Sequence, residues 1–453
     1  MSAMSDLTGT AGVPLVFATP HHRASVFIQF LADVEGFYRD INGQKHSLQP
    51  YKPYSLLSLV SPTPLVQSVP AHLPAVFLTS FSGRFYISLH HGLKDMVPGY
   101  IPAANSGPSG GNQGDPNFAC CYQYIEPTVT GNQINIDMSY IDFTAISLCM
   151  TAKNAPHAQN GRQTSESSLK LATATATASV ANAAVLPAST DLLPSANFAR
   201  VISPGLGAPS MYHDFTAYLT GTLASQSVRL AGTFQGVGQP PWSNPALQAQ
   251  SYDFNATFDR QGNVTLSPNL GSGNGQAPGV PVAKRGQGVG ATTKMHVAFA
   301  ALNVVTGIYG CNPAYSLSTG PSFPGITNDV WGEVLGDLVA GLNFGFVGST
   351  MSFGSTTVGQ LASTQWWGNG YMPDGTYVHP STTPAGNKVY FGGVQATASN
   401  YNSYAASLAP LTTGYGFPLG DRLGRNLLAI NTGIDPSGYV LIEIDRPSGS
   451  SSF

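Results

Sequence analysis

Charged side chains are scarce in this sequence. Only 9% of its 453 residues are Asp, Glu, Lys or Arg, and the formal net charge is −3. Nucleic-acid binders concentrate Lys and Arg, whereas this chain has only 19 of them, so we expect no nucleic-acid partner. The chain also lacks an apolar run that approaches the length of a membrane span, and we expect no membrane partner.

Cysteine is equally scarce. The four cysteines, Cys120, Cys121, Cys149 and Cys311, include no C-x-x-C pair, which argues against a zinc ribbon or a thioredoxin-type site. They are also too few for a disulfide-built scaffold. We expect neither a metal nor an organic cofactor. The N-terminal residues lack the layout of a signal peptide, so export would require a signal already removed or another route.

Turn-forming and aromatic residues take the place of charge. The chain has 51 Gly, 34 Pro, 22 Phe and 20 Tyr, a mixture typical of β-rich folds and of surfaces that meet neutral polyols. Residues 13–90 alternate as strands do, and 439–445 read as a last strand that we expect to return to the first sheet. The length suggests two or three domains.

Helical signals are concentrated in residues 196–365. Apolar residues recur every four positions from Val330 to Leu342, and residues 212–219 and 295–306 are further helix candidates. The Ala/Thr-rich stretch 151–195 reads as a connection or an irregular strand. We therefore predict a mainly β fold: a β-barrel or sandwich from 1–150 and 366–453, the connection 151–195, and an inserted mixed α/β domain, 196–365, with a wide groove between the two domains.

Three carboxylates, Glu126, Asp137 and Asp142, lie within seventeen residues of this acid-poor chain. Each follows aromatic or β-branched residues in a strand-like segment, 120–143, that reverses at Thr130-Gly-Asn-Gln133. Carboxylates on a sheet face with apolar flanks can differ in proton affinity, as acid/base chemistry on sugars requires. A single acid of this kind is more often a turn cap or an Arg partner. Three together favour a catalytic site.

The local pattern leaves the partner of Glu126 open. A simple hairpin about Gly131-Asn132 places Glu126 opposite Asp137 and several residues from Asp142. Geometry then favours Asp137. A bulge, or a longer crossing between strands that are not adjacent, would bring Asp142 to Glu126 instead.

Several of these motifs resemble known families. Phe81-Ser-Gly-Arg-Phe-Tyr, Asp137-Met-Ser-Tyr-Ile-Asp142-Phe and Tyr415-Gly-Phe-Pro-Leu-Gly-Asp421 resemble strands of thaumatin-like proteins, whose cleft is acidic. Those proteins are far shorter and lack a counterpart of 196–365. The first β-domain is thus expected to be thaumatin-like.

Nearly the whole chain resembles glycoside hydrolase family 64, the β-1,3-glucanases that cut laminarin-type glucan into short oligosaccharides. The similar segments include Arg200-Val-Ile-Ser-Pro204, Ile308-Tyr-Gly-Cys311 and Gly341-Leu-Asn343. The family's catalytic acid and base are a Glu and an Asp sixteen positions apart, and Glu126 and Asp142 have that separation. This chain has Asn135 where the family usually has an aromatic residue, often Trp.

The resemblance implies an inverting glycoside hydrolase that acts on β-1,3-glucan, with Glu126 as the acid, Asp142 as the base and Asp137 as a supporting acid. We expect the flanking Tyr124, Ile125 and Pro127 to desolvate Glu126. A monomeric, secreted enzyme is expected. Predicted substrate contacts are Thr128, Thr130, Asn135, Ser139, Tyr140, Trp366 and Trp367. The alternative is a non-catalytic, thaumatin-like protein that only binds the glucan.

Overall fold

The computed structural model describes residues 11–66, 69–94, 108, 110–153, 167–187, 198–207, 209–234, 250–269, 293–368, 370–372, 376–423, 430–434 and 438–445. The chain divides into two compact units. Unit 1 comprises Met1–Leu206, Ser407–Gly416 and Asn426–Phe453, and unit 2 comprises Gly207–Ala406 and Phe417–Arg425. The predicted groove between domains stays a prediction.

Unit 1 is built mainly from strands. They are β1 (Val13–Ala18), β2 (Val26–Phe30), β3 (Val34–Arg39), β4 (Lys45–Ser47), β5 (Tyr54–Ser55), β6 (Ala75–Ser82), β7 (Phe85–Leu89), β8 (Tyr122–Thr130), β9 (Gln133–Met138), β10 (Phe143–Thr144), β11 (Leu148–Lys153), β12 (Val185–Pro187), β13 (Phe198–Ile202), β24 (Ile430–Gly433) and β25 (Tyr439–Ile444). One helix, α1, spans Ser168–Ala178.

Twelve of these strands form one sheet, whose longest path runs β11-β25-β1-β6-β8-β7-β2-β5. Strand β8 is central, because β6 and β7 pair with one of its edges and β9 pairs with the other. The path has two ends among the described strands, so the sheet is open rather than a closed barrel. The predicted return of the last strand is confirmed, since β25 pairs with β1 and β11.

Alternation along β8 and β9 separates a buried face from a polar face. Ile125 and Val129 on β8, and Ile134, Ile136 and Met138 on β9, are at most 1% exposed. Successive side chains point to opposite faces of a sheet, so Glu126, Thr128, Asn135 and Asp137 lie on the other side. Burial of the apolar set fixes the register and therefore decides which face carries the polar side chains.

The Ala/Thr-rich stretch contains a helix, so the expectation of an irregular strand there was wrong. Ser167 accepts a hydrogen bond from the Lys170 amide and caps α1, while Leu171, Ala172 and Thr175 form its buried side. Alanine has the highest helix propensity, which outweighs the weaker propensity of the intervening threonines.

Unit 2 combines a six-stranded antiparallel sheet with short helices and hairpins. Its sheet strands are β14 (Ser227–Phe234), β15 (Gln250–Phe258), β16 (Val264–Pro268), β17 (Met295–Val297), β18 (Tyr315–Leu317) and β19 (Ser322–Phe323). Its helices are α2 (Phe299–Leu302), α3 (Val330–Phe344) and α4 (Ser363–Trp367), and α5 (Ser403–Leu408) follows at the unit boundary. Two small hairpins are β20 (Ser352–Phe353) with β21 (Thr356–Thr357), and β22 (Gly370–Tyr371) with β23 (Tyr377–Val378).

Helix α3 confirms the four-residue apolar period, and its N-cap is Asp329, which accepts from the Gly332 amide. The two other helix candidates were wrong in extent. Residues 295–306 form β17 and the single-turn helix α2, and residues 212–219 contribute only the start of a π-helical turn at Tyr218–Thr222. In the described part of the chain, no helix has both the length and the apolar character needed to cross a membrane.

Candidate active site

Three charged residues form a row across the central strands of unit 1. Strands β6 and β7 keep one continuous register against β8, with Ser82 opposite Thr128 and Phe85 opposite Ile125. That register places Arg84, between the two strands, opposite Glu126. On the other edge of β8, Glu126 pairs with Asp137 of β9. The hairpin predicted about Gly131-Asn132 is therefore confirmed, with Arg84 completing the row.

Hydroxyl and amide side chains extend this polar face beside Glu126. Thr128 lies opposite Asn135, and Thr130 lies opposite Gln133. Thr128, Thr130 and Asn135 are all exposed. The Thr128 hydroxyl also lies 3.3 Å from the Ser82 hydroxyl. The structure thus brings these three predicted substrate contacts to the same face as Glu126.

Asp142 reaches the site by a different path. Strand β9 ends at Met138, and the chain then leaves β8 because Ser139 bridges to Tyr415 and the Tyr140 amide donates to the Tyr415 carbonyl. Past this point Asp142 receives a 2.8 Å hydrogen bond from the Tyr124 hydroxyl. Its own carbonyl accepts from the Ser203 amide. After β9 the chain therefore crosses to the segment that contains Tyr415, which is one of the alternatives that the sequence left open. This crossing brings Asp142 back to the polar face of β8.

Arg84 links the two predicted catalytic carboxylates. Its Nε lies 3.1 Å from Glu126 Oε1, and its Nη1 lies 3.7 Å from Asp142 Oδ2. The guanidinium is rigid and planar, with roughly 2.3 Å between these nitrogens, so the two carboxylate oxygens are at most about 9 Å apart. Arg84 also lies over the Tyr124 ring, 4.4 Å from its centre. One side chain thus holds both acids on one face.

Sequence reasoning missed the roles of Arg84 and Tyr124. Arg84 was recognised only as part of a strand motif, and Tyr124 only as a residue expected to desolvate Glu126. Tyr124 lies two residues before Glu126 on the same strand, so the period of two already placed it on the Glu126 face. Burial and the charge of Asp142 raise the pKa of Tyr124 well above its usual range, so its hydroxyl remains a donor.

Asp137, on β9, has a raised pKa. Its side chain is half-buried, and burial together with the charge of Glu126 raises the pKa of Asp137 to about 6. Glu126 itself is 40% exposed at its side chain. Ile125 and Pro127 lie on the opposite, buried face, so the expectation that these two residues desolvate Glu126 was wrong. Tyr124, the third residue named, does share the face of Glu126.

Ser139 and Tyr140 do not face the site as substrate contacts, and those predictions were wrong. Both are buried, at 2% and 0% exposure. The Ser139 hydroxyl accepts from the Ile141 amide, and the Tyr140 hydroxyl lies 3.4 Å from the Ile146 carbonyl. The turn away from β9 directs these side chains inward, where they contact backbone groups and, in the case of Ser139, the side chain of Tyr124.

Trp366 and Trp367 are core residues of unit 2, so the predicted stacking on sugar rings was also wrong. They are 0% and 4% exposed. The Trp366 indole donates to the Val358 carbonyl at 2.9 Å, and both rings pack against Phe346. Helix α4 turns both indoles into the apolar interior, where neither presents a ring face to solvent.

An open cavity of about 440 Å³ adjoins Glu126. It is lined by Leu31, Ala32, Ser82, Gly83, Arg84, Glu126, Pro127 and Thr128. Gly83 has a φ of +153° and stands close to Ala32, where an added Cβ would lie 2.8 Å from the Ala32 methyl. Glycine therefore suits this position between β6 and β7, directly before Arg84, because any other side chain would be strained by the backbone conformation and would collide with Ala32. The volume lies in the range of small-ligand sites.

Arg200 anchors the segment that leads into β8. The side chain is fully buried, and its guanidinium donates to four backbone carbonyls and one hydroxyl: Gly110 O, Asn117 O, Phe118 O, Cys120 O and Tyr122 Oη. Its Cζ lies 4.2 Å from the centre of the Tyr122 ring. One arginine thus fixes the entry of the strand that carries Glu126.

Comparison with known proteins finds a family that part of this chain resembles. Residues 46–225 match the sequence model of glycoside hydrolase family 64, described as β-1,3-glucanase. This segment contains Arg84, Glu126, Asp137, Asp142 and Arg200. No curated protein sequence is significantly similar to the chain.

The chain is also similar to solved structures. A laminaripentaose-producing β-1,3-glucanase in complex with laminaritetraose aligns over 96% of this chain and 99% of its own, with 12% identity and a TM-score of 0.52. A β-1,3-glucanase domain from Clostridium beijerinckii aligns over 96% of this chain and 98% of its own, with 13% identity and a TM-score of 0.49. The first similarity establishes a common fold and supports the mainly β prediction.

Proposed function

We propose that this chain, whose residues 46–225 match the glycoside hydrolase family 64 model, is a β-1,3-glucanase that cleaves β-1,3-glucan with inversion at the anomeric carbon. In this mechanism Glu126 is the general acid and Asp142 the general base. The observation that carries the assignment is the double contact of Arg84, 3.1 Å to Glu126 and 3.7 Å to Asp142. It keeps two carboxylates of an acid-poor chain together on one exposed polar face.

The two acids have complementary tasks. Glu126 donates a proton to the glycosidic oxygen as the bond to the anomeric carbon breaks. Asp142 takes a proton from a water molecule, whose oxygen attacks the same carbon from the opposite face and gives the α-anomer. Inverting enzymes keep their carboxyl groups roughly 6.5–9.5 Å apart to admit that water. The limit of about 9 Å set by Arg84 is compatible with this distance.

The surroundings of Asp142 suit a base. The Tyr124 hydroxyl donates to it at 2.8 Å, and Arg84 supplies a positive charge nearby. The hydrogen bond orients the Asp142 carboxyl group, and the guanidinium complements the charge of a carboxylate that takes a proton from water. Burial opposes the charge of Arg84, but the adjacent tyrosines and carboxylates outweigh burial and raise its pKa above the ordinary value. The cation therefore persists at every pH of interest.

Neutral hydroxyl and amide side chains support a neutral polysaccharide substrate. Thr128, Thr130 and Asn135 are exposed beside Glu126 and can pair with sugar hydroxyls. A site that pairs with substrate hydroxyls rejects a chain of different shape, because buried polar groups would then be left unpaired. We therefore propose unbranched β-1,3-glucan as the substrate, with little turnover of cellulose or chitin. Since such a polymer cannot cross a membrane, we also propose that the enzyme is secreted. We further propose that it acts as a monomer.

Proton NMR of a fresh laminarin digest tests the mechanism. The expected first product is the α-anomer, and a β-anomer appearing first would refute inversion and the water-activating role of Asp142. Glu126→Gln and Asp142→Asn are each expected to lower kcat by at least about 100-fold while glucan binding and folding persist. Glu35→Gln is the matched control, because Glu35 is an exposed glutamate on β3 of the same unit. Binding of glucan by the wild type without any hydrolysis would favour a non-catalytic protein.

A further inference from the structure

We infer that the open cavity beside Glu126 binds the glucosyl unit that leaves when the glycosidic bond breaks. The inference rests on the proposed function, because the acid and the base of that reaction define which unit leaves. Glu126 gives its proton to the O3 atom of this unit while the bond from that oxygen to the anomeric carbon of the next unit breaks. The leaving unit is therefore the one on the reducing-end side of the broken bond.

The order of contacts along strand β8 shows on which side of the acid the cavity lies. Asp142 is held by the hydroxyl of Tyr124, two residues before Glu126. Thr128, two residues after Glu126, lines the cavity together with Ser82. Residues two apart share one face of a strand and are separated by about 6–7 Å along it. The acid thus stands between the contact that holds the base and the cavity.

The residues around the cavity agree with this division. Glu126 and Arg84 line it, whereas Asp142 and Tyr124 are not among the described residues that do. The water that Asp142 activates must attack the anomeric carbon from the side opposite to the leaving oxygen. A site that contacts the acid but not the base therefore suits the leaving unit. The unit that carries the anomeric carbon then lies outside the cavity, toward Asp142.

The lining of the cavity matches the chemistry of a β-linked glucosyl unit. The hydroxyls of Ser82 and Thr128, two exposed residues, lie 3.3 Å apart and form a polar rim. Leu31 and Ala32 supply apolar lining. The hydroxyls of β-glucose are equatorial, so the edge of the ring is polar while its faces carry C–H groups. A few polar groups beside an apolar wall fix the orientation of such a ligand, and the volume of about 440 Å³ suits one or two units.

A substrate without a leaving sugar separates this site from the site of the anomeric carbon. In β-laminaritriosyl fluoride, water attacks the anomeric carbon, fluoride departs and Asp142 takes the proton, so nothing has to occupy the cavity. Ala32→Phe places a large side chain in the lining. In this variant the ratio of kcat/KM on laminarin to kcat/KM on the fluoride is expected to fall at least about tenfold. Ala183→Phe, at an exposed alanine of the same unit, is the control.

Ser82→Ala is a milder second variant, because it removes one hydroxyl of the rim and little volume. The same ratio is expected to fall about threefold, as the loss of one hydrogen bond to the sugar predicts. An equal loss on both substrates would overturn the inference, because the cavity would then bind the unit that carries the anomeric carbon. Unchanged rates on both substrates in both variants would also overturn it, because the cavity would then bind no part of the substrate.

A crystal structure of Glu126→Gln with laminarihexaose supplies a readout that does not depend on activity. A glucosyl unit is expected in the cavity, linked through its O3 atom to the anomeric carbon of the unit beside Asp142. The reverse chain direction, or an empty cavity beside a bound hexaose, would overturn the inference. If the wild type hydrolyses neither laminarin nor the fluoride, the proposed function fails, while the chain direction in this complex still decides which side of the linkage the cavity binds.

Discussion

Arg200→Met offers a sharp test of how the active-site strand is held. The guanidinium is buried and donates five hydrogen bonds, four of them to backbone carbonyls in the segment that precedes β8. Methionine preserves most of the volume but supplies no donor. Each buried acceptor left without a partner costs about 1 kcal/mol or more. The substitution also removes a buried positive charge, which offsets part of this cost. We therefore expect the free energy of unfolding to fall by about 3 kcal/mol in total.

Hydrogen exchange measured by mass spectrometry locates the effect. A loss of about 3 kcal/mol corresponds to roughly 100-fold faster exchange for amides that open with this segment. Peptides from β8 should show that acceleration, whereas peptides from α3 in unit 2 should exchange as in wild type. Arg260→Met, at an exposed arginine, is the matched control. A change below about tenfold in β8 would refute the reasoning, because the five hydrogen bonds would then be replaceable by solvent or by rearrangement.

Three further predictions follow from particular contacts. Burial alone would raise the pKa of Asp445, but hydrogen bonds from His21 and the Ser168 amide lower it. The stabilisation by ionised Asp445 is therefore present above about pH 4 and is lost on acidification. In urea titrations, the difference in unfolding free energy between wild type and Asp445→Asn should be about 1 kcal/mol at pH 7 and should shrink below pH 3.5. Trp366→Ala should lower the free energy of unfolding by about 3–5 kcal/mol, and Trp366→Phe should leave the KM for laminarin unchanged; a raised KM at unchanged melting temperature would contradict its burial. Thr128→Ala and Asn135→Ala should raise KM about threefold to tenfold without a change in thermal stability, and unaltered KM values for both would remove this face as the substrate surface.

Features that depend on nearby residues could be predicted from the sequence. The turn at Thr130–Gln133 and the alternation on both sides of it determine which residues face each other, so Glu126 opposite Asp137 followed from the local pattern. The four-residue period that ends at Leu342 likewise predicted helix α3. These cases share a cause: the hydrogen bonds and the buried face belong to residues adjacent in the chain.

Residues distant in sequence required the folded chain. Arg84 and Glu126 are 42 positions apart, and their contact exists because β6 and β7 keep one register against β8. Asp142 returns to Glu126 because Ser139 bridges to Tyr415, a residue that no local pattern connects with β9.

The sequence by itself determined the mainly β character, the hairpin of Glu126 and Asp137, and the resemblance that points to Asp142. The tertiary structure decided which side chains face solvent: Trp366, Ser139 and Tyr140 are buried, whereas Arg84 reaches both Glu126 and Asp142. The physical reason is that burial and charge pairing are properties of the surroundings. The same tryptophan can stack on a sugar or fill a core, and only the packing of other segments against it settles which.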